Sequence, residues 1–203
     1  MLVIVGFVLP PFTATSERPT VLGDVLFSLL LLSGIGTVWS EGRLAFRIIA
    51  TITLCALAVH WLTRFAPAKS CAIWDAGANI VTLASLALVV LAKVLRPGTV
   101  TGHRIKGAVA VYLLLGFVWA SAYQWIALNH PGAFSGAGAG DPLRVSWVYY
   151  SFVTLTTTGY GDITPVLPGA RSLAMSEALT GQLYLAILIS RLVALELSAR
   201  RDA

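Results

Sequence analysis

The stretch Thr156-Thr157-Thr158-Gly159-Tyr160-Gly161-Asp162 lies between two long apolar segments in the C-terminal half of the chain. Its two glycines alternate with larger residues, which lets successive residues take positive and negative φ in turn. Such alternation turns consecutive carbonyl oxygens toward one side of the backbone. Several copies of this row around an axis can replace the water shell of a small cation. The stretch therefore predicts a cation-binding row of backbone carbonyls.

The composition is that of a membrane protein. Of 203 residues, 57% are hydrophobic and 11% are charged, which disfavours a soluble domain. The net charge of +5 comes from basic residues that cluster between apolar runs, as in cytoplasmic loops. We therefore expect membrane lipid, and no nucleic acid, as a partner. Cys55 within an apolar run and Cys71 just outside one provide neither a disulfide framework nor metal-ligand spacing.

Apolar segments divide the chain into predicted membrane crossings. Residues 1–9 are apolar but cover only about half of the hydrocarbon thickness before Pro10 and Pro11 interrupt the helix. They form either a short first crossing, which gives six crossings, or an interfacial segment. The segments that are long enough to span a bilayer are residues 21–39, 44–61, 72–94, 106–128 and 172–198.

Around the glycine-containing stretch the sequence resembles the potassium channel family, whose filter signature is Thr-Val-Gly-Tyr-Gly. Thr158 stands where valine is usual. Residues 147–156 match the family's pore helix in length and place, and residues 172–198 match its inner helix. Gly181 follows Asp162 by nineteen residues, where the family usually has its hinge glycine. The resemblance covers roughly residues 106–200, and the first hundred residues carry no diagnostic motif.

The resemblance implies an all-α membrane protein with a voltage-gated-channel-like six-helix subunit, a re-entrant pore helix and filter, and tetrameric assembly. Residues 1–100 would form a four-helix voltage-sensor-like domain. Residues 101–203 would form the pore domain, with outer helix, pore helix, selectivity filter and inner helix. A voltage sensor needs several Arg or Lys residues at every third position. Between residues 72 and 92 the single ionisable residue is Asp75, so we expect the first domain to lack gating charges.

The resemblance also assigns roles to residues of the stretch and its surroundings. Potassium would bind in the candidate filter, which comprises Thr157, Thr158, Gly159, Tyr160 and Gly161, through backbone carbonyls and the Thr157 hydroxyl. Filter support would come from Asp162, Tyr149, Tyr150 and Thr156, with one of the two tyrosines hydrogen-bonded to Asp162. Cavity and gate would be formed by Gly181, Gln182, Leu185, Ile189 and Val193. This inner-helix stripe can equally be helix packing, and that alternative stays open.

The sequence also supports predictions for several other side chains. The Thr158 hydroxyl needs a hydrogen-bond partner behind the filter. Glu177 is expected to form hydrogen bonds behind the filter or with a neighbouring subunit, and Arg191 to extend to the inner membrane interface. Val153 stands where some bacterial relatives have a glutamate, so that carboxylate is missing. His60, near a segment end, is expected at the membrane interface.

Together these features predict a homotetrameric, potassium-selective channel in the cytoplasmic (inner) membrane of a prokaryote. Conduction would be passive, with K⁺ as the permeant ion and with no cofactor and no enzymatic activity. No soluble ligand-binding domain is expected. Two alternatives remain, a weakly selective monovalent cation channel and a nonconducting regulatory channel subunit. The intact Gly-Tyr-Gly triplet argues against the first alternative, because nonselective members of the family typically alter it.

Overall fold

The computed structural model describes residues 25, 28–29, 31–32, 43–65, 69–96, 102–136 and 144–201. The predicted crossing at 21–39 lies largely outside these residues and the segment 1–9 entirely so, and the count of six crossings stays a prediction. The elements of the described part are α1 (Arg43–Phe65), α2 (Lys69–Leu95), α3 (Gly102–Asn129), β1 (Phe134–Gly136), α4 (Arg144–Leu155), β2 (Ile163–Pro165) and α5 (Pro168–Arg201).

Within the described residues, three stretches are long and apolar enough to cross a membrane: Cys71–Leu95, Arg104–Asn129 and Pro168–Arg191. They correspond to the predicted segments 72–94, 106–128 and 172–198. Helix α1 contains a shorter apolar stretch, Ala50–Leu62. The short helix α4 lies between the last two spanning stretches, at the place predicted for a pore helix.

Helices α2 and α3 form an antiparallel pair with one continuous apolar core. Leu83 and Leu86 of α2 and Leu114 and Phe117 of α3 are buried in the same cluster. The boundary predicted between residues 100 and 101 falls between these two helices, outside the described residues. That division stays a prediction, but the core continues across it, and we therefore expect the two halves to fold as one unit.

Arginine side chains bind the C-terminal carbonyls of α2. Arg104 Nη1 donates to the Arg96 carbonyl at 2.8 Å, and Arg191 Nη2 of α5 donates to the Leu95 carbonyl at 2.7 Å. Cations at this position satisfy carbonyls that lack an intrahelical partner and interact favourably with the helix dipole. Arg191 was expected to extend to the interface. That location stays a prediction, and the structure shows a specific acceptor for Arg191 at the end of α2, which ties α5 to α2.

The described residues are mostly helical, as predicted, and a two-stranded ribbon is added to the helices. Strand β1 pairs antiparallel with β2, in the register Phe134↔Pro165, Ser135↔Thr164 and Gly136↔Ile163. The pairing satisfies backbone groups of the segment that follows the candidate filter. A Cβ on Gly136 would lie 1.9 Å from the Asp162 carbonyl oxygen, so the close approach of the strands requires glycine. Three-residue strands are too short to show an alternating pattern, and the sequence analysis missed them.

Helices α1 and α2 are joined by a buried polar contact. His60 is buried, and its Nδ1 lies 3.1 Å from Asp75 Oδ1. The predicted position of His60 at the membrane interface stays a prediction, and the structure adds that the ring packs between two helices. Asp75, the ionisable residue of the predicted sensor segment, is engaged in holding two helices together.

Candidate functional site

An aromatic cluster holds α4 in place. Tyr150 packs against Tyr123 of α3 with ring centroids 4.7 Å apart, and Trp147 packs against Phe134 of β1 at 4.9 Å. Aromatic pairs at these separations add to the stabilisation from burial. Helix α4 therefore contacts both the preceding helix and the ribbon, which gives it a defined position.

Helix α4 ends at Leu155 with its last carbonyls already bonded. Thr156 Oγ1 donates to the Phe152 carbonyl at 2.7 Å. The amides of Thr158 and Gly159 both donate to the Val153 carbonyl, at 2.9 and 3.3 Å. These bonds satisfy helix-end groups that otherwise require water. The candidate filter therefore begins directly at the helix end.

The backbone of the candidate filter alternates in φ. Thr157, Gly159 and Gly161 have φ of 58°, 58° and 80°, whereas Thr158 and Tyr160 between them do not have positive φ. The two glycines predicted such alternation, and the structure extends it one residue earlier, to Thr157. A positive φ is a strained conformation for a β-branched residue. Thr157 is held there by bonds from its own Oγ1 to the Thr156 carbonyl, at 2.7 Å, and from Gln182 Nε2, at 3.1 Å.

The side chains of the candidate filter contact α4 and Thr156, the residue that follows it. Thr158 Oγ1 lies 2.9 Å from Thr156 Oγ1, which supplies the hydrogen-bond partner that the threonine needs. The ring of Tyr160 stacks on Tyr149 with centroids 6.5 Å apart and planes 5° apart. The Tyr149 hydroxyl in turn forms a hydrogen bond with Asp162. Tyr149 of α4 thus contacts both Tyr160 of the candidate filter and Asp162, which follows the filter.

Of the two tyrosines proposed to bond Asp162, the structure selects Tyr149. Tyr150 faces the opposite way, into the aromatic cluster with Tyr123, Phe134 and Trp147. Consecutive helical residues point about 100° apart, so only one of them can face the filter. Tyr150 acts on the filter indirectly, by fixing the helix.

Helix α5 approaches the end of α4 at Gly181. A Cβ on Gly181 would lie 2.2 Å from the Leu155 carbonyl oxygen. The helix runs unbroken through this residue. The hinge role stays a prediction, and the structure adds a separate requirement for glycine, the close contact between two helices directly before the candidate filter.

The remaining residues of the predicted cavity stripe lie on α5. Gln182 reaches the candidate filter through Thr157, and Leu185 and Ile189 are exposed in the single chain. Val193 lies in α5, and its side chain is outside the part of the chain that the structure describes. Whether the stripe faces a pore axis stays a prediction.

Glu177 is fully buried between α5, α4 and α3. Its carboxyl group contacts Ser151 Oγ and the Tyr123 hydroxyl. These contacts lie behind α4, the helix that precedes the candidate filter, and a role of Glu177 in supporting the filter stays a prediction. Its burial within its own chain excludes the alternative of a neighbouring subunit.

In a single chain the candidate filter is exposed. All residues from 156 to 162 are exposed, Tyr160 to 71%. Large apolar side chains of α5 are exposed as well: Met175, Leu179, Leu183, Ile187 and Ile189. A contiguous apolar face of this kind marks contact with lipid or with other protein.

Comparison with known proteins finds similarity to ion channels in the C-terminal half of the chain. A protein family model described as "Ion channel" matches residues 108–196, from α3 to α5, and this family is not enzymatic. Two pore potassium channel c from Oryza sativa subsp. japonica is 39% identical over 85 residues, which are 41% of this chain and 18% of that protein. Protein LctB is 37% identical over 86 residues in Geobacillus stearothermophilus and 35% in Bacillus caldotenax.

The alignments with the two LctB proteins cover 40% of this chain and 62% of each relative. The chain thus spans less than two thirds of the length of each of these three proteins. No solved structure matches the chain. The matches support an ion channel domain related to potassium channels, and together with the apolar helices they support a multi-pass membrane protein.

Proposed function

We propose that this chain, whose residues 108–196 match the ion channel family, is the subunit of a potassium-selective channel. The observation that carries the proposal is the alternation of φ at Thr157, Gly159 and Gly161. Alternating backbone handedness aligns successive carbonyl oxygens along one side of a strand. Rings of such carbonyls replace the hydration shell of K⁺.

Ion coordination requires several chains, because one row of carbonyls covers one side of an ion. The exposed candidate filter and the exposed apolar face of α5 are the surfaces that further copies would cover. We propose a homotetramer with the filters on a four-fold axis. The family generally forms oligomers in membranes, which supports this arrangement.

The surroundings of the filter fit passive conduction. Asp162 at one end of the filter would raise the local cation concentration. Gln182 would provide a polar cavity at the other end, and the apolar Leu185, Ile189 and Val193 would close it by dewetting. The two bacterial relatives named LctB favour a prokaryotic inner membrane as the location.

The test is ion flux into liposomes that contain the purified protein, driven by a potassium gradient and then by an equal sodium gradient. Native mass spectrometry of the same preparation gives the number of chains. Potassium flux well above sodium flux, from a tetramer, is expected. Equal rates would indicate the weakly selective channel and would implicate Thr158. A monomer that is stable and silent would contradict the proposal.

Tyr149→Phe tests the link between α4 and the outer end of the filter. The substitution removes the hydrogen bond with Asp162 and keeps the ring that stacks on Tyr160. We expect potassium flux to fall by roughly two- to tenfold, the range for loss of one hydrogen bond. Tyr150→Phe is the matched control, since its ring stays in the aromatic cluster and touches no filter side chain. Equal flux in the two variants would show that the bond with Asp162 does not support the filter.

A further inference from the structure

A chain of hydrogen bonds joins three helices behind α4. Glu177 Oε1 of α5 lies 2.5 Å from Ser151 Oγ of α4, and Ser151 Oγ lies 2.7 Å from the Gly116 carbonyl oxygen of α3. The other carboxyl oxygen of Glu177 contacts the Tyr123 hydroxyl of α3. Ser151 and Glu177 are fully buried, so solvent does not contribute to this network.

Counting the protons in this network indicates which form of the carboxyl group fits both contacts of Ser151. Ser151 has one hydroxyl proton and two oxygens within hydrogen-bond distance. The Gly116 carbonyl can only accept, so the serine proton belongs to that contact. The contact between Ser151 Oγ and Glu177 then needs a proton of its own, and only a protonated Glu177 can supply it. With an ionised Glu177, one of the two oxygen pairs would face each other without a proton.

The electrostatic surroundings agree with this proton count. Among the described residues, no Lys, Arg or His lies within salt-bridge distance of Glu177. The titratable groups that face it are phenols, Tyr112 and Tyr123 from α3 and Tyr150 from α4, and phenols are neutral at physiological pH. A buried carboxylate without a counter-charge is strongly disfavoured, whereas a neutral, fully hydrogen-bonded carboxylic acid is tolerated.

We propose that Glu177 acts as a neutral carboxylic acid that ties the inner helix to the pore helix and positions the candidate filter. The inference rests on the proposed channel function. The tie lies four residues before Gly181, where α5 touches the end of α4. Movement of α5 is thereby transmitted to the helix that carries the filter. Removal of the proton would break the bond between Glu177 and Ser151 and loosen this connection.

The sign of the pH dependence follows from proton linkage. The folded channel keeps a proton on Glu177 that an unfolded chain releases at neutral pH. The folded state therefore binds more protons, and its stability falls as pH rises. Flux is expected to fall in the same direction, because the filter loses its support.

Infrared spectroscopy tests the protonation state directly. A protonated carboxylic acid has a C=O stretching band distinct from the bands of a carboxylate. The difference spectrum of wild type minus Glu177→Gln at neutral pH should contain this band, and side-chain ¹³C labelling of glutamate in the wild type should shift it. Carboxylate bands in its place would overturn the proposal. The result does not depend on conduction, so it separates this inference from the proposed function.

The pH profiles of flux and melting temperature test the positioning role. The side-chain amide introduced by Glu177→Gln can donate to Ser151 and accept from Tyr123 at any pH. We expect this variant to keep flux within about threefold of wild type and Glu177→Ala to lose about tenfold or more, since the alanine leaves buried groups unsatisfied. The decline of wild-type flux at alkaline pH should be absent from Glu177→Gln, which retains the three tyrosines.

Serine variants complete the experiment. Ser151→Ala removes the bridge between α4 and α5 and should lower both flux and melting temperature. Ser176→Ala is the matched control, because Ser176 is exposed and its side chain, among the described residues, bonds to its own helix at the Ser172 carbonyl. A parallel alkaline decline in wild type and Glu177→Gln, or equal effects of the two serine substitutions, would overturn the positioning role.

Discussion

Gly159→Ala is expected to reduce potassium flux by at least about tenfold. Gly159 has φ of 58°, and an added Cβ would meet no atom within 4 Å of the chain. The penalty is therefore backbone strain, about 1–2 kcal/mol for an L-residue in the left-handed region. In a tetramer the strain arises in every copy at the same level of the filter. Relief of the strain rotates the neighbouring carbonyls away from the axis, which is why flux falls more steeply than stability.

Gly132→Ala is the matched control for this prediction. Gly132 has φ of 85° and also has no atom within 4 Å of an added Cβ, but it lies in the loop before β1. The backbone penalty per chain is similar, and the site is remote from the carbonyl row. Liposome flux and melting temperature should be measured for both variants. Equal loss of flux in the two would mean that general destabilisation, and not filter geometry, is responsible.

Gly181→Ala is expected to lower both flux and thermal stability. The new Cβ would lie 2.2 Å from the Leu155 carbonyl oxygen, whereas real Cβ atoms stay beyond 3.0 Å. The obstacle is backbone, so a side-chain rotation cannot relieve it. The two helices must separate, at a cost of about 1–3 kcal/mol for overpacking. Because only Thr156 separates Leu155 from the candidate filter, the displacement should reduce flux by about tenfold or more.

Gly169→Ala is the control within the same helix. Gly169 has no neighbour within 4 Å of an added Cβ, and alanine is the better helix former by about 1 kcal/mol. This variant should melt at the same or a higher temperature and keep its flux. The comparison also separates two roles of Gly181. If Gly181 acts only as a hinge, Gly181→Ala should slow gating and leave the melting temperature unchanged. If Gly181 is needed for the close contact between helices, the melting temperature should fall.

The sequence prediction was most accurate where structure depends on neighbours along the chain. The apolar lengths predicted the spanning stretches of α2, α3 and α5, because a bilayer imposes one length on any helix that crosses it. The glycines at 159 and 161 predicted alternating φ, because they remove the steric barrier to positive values. Thr157 was missed as a positive-φ residue, since its conformation is imposed by Gln182 and Thr156 and not by its own preference.

Predictions that depended on side-chain direction across helices were incomplete. Tyr149 and Tyr150 were equivalent in the sequence, and only the position of α4 against Phe134 and Tyr123 distinguished them. The place of His60 near a segment end gave no sign that its ring packs between α1 and α2 against Asp75. The pairing of β1 with β2 joins residues 27 to 31 positions apart through backbone groups, which leave no signal in residue type.

The amino-acid order was thus sufficient for the apolar spans and for the filter-like backbone, because both follow from local steric and solvation rules. The tertiary structure was needed for the contacts that hold this backbone in place. Burial of Glu177 between three helices, contact of Gly181 with Leu155 and the attachment of Arg191 to the end of α2 all depend on how helices approach one another. That approach is decided by packing summed over many side chains, and no single segment of sequence encodes it.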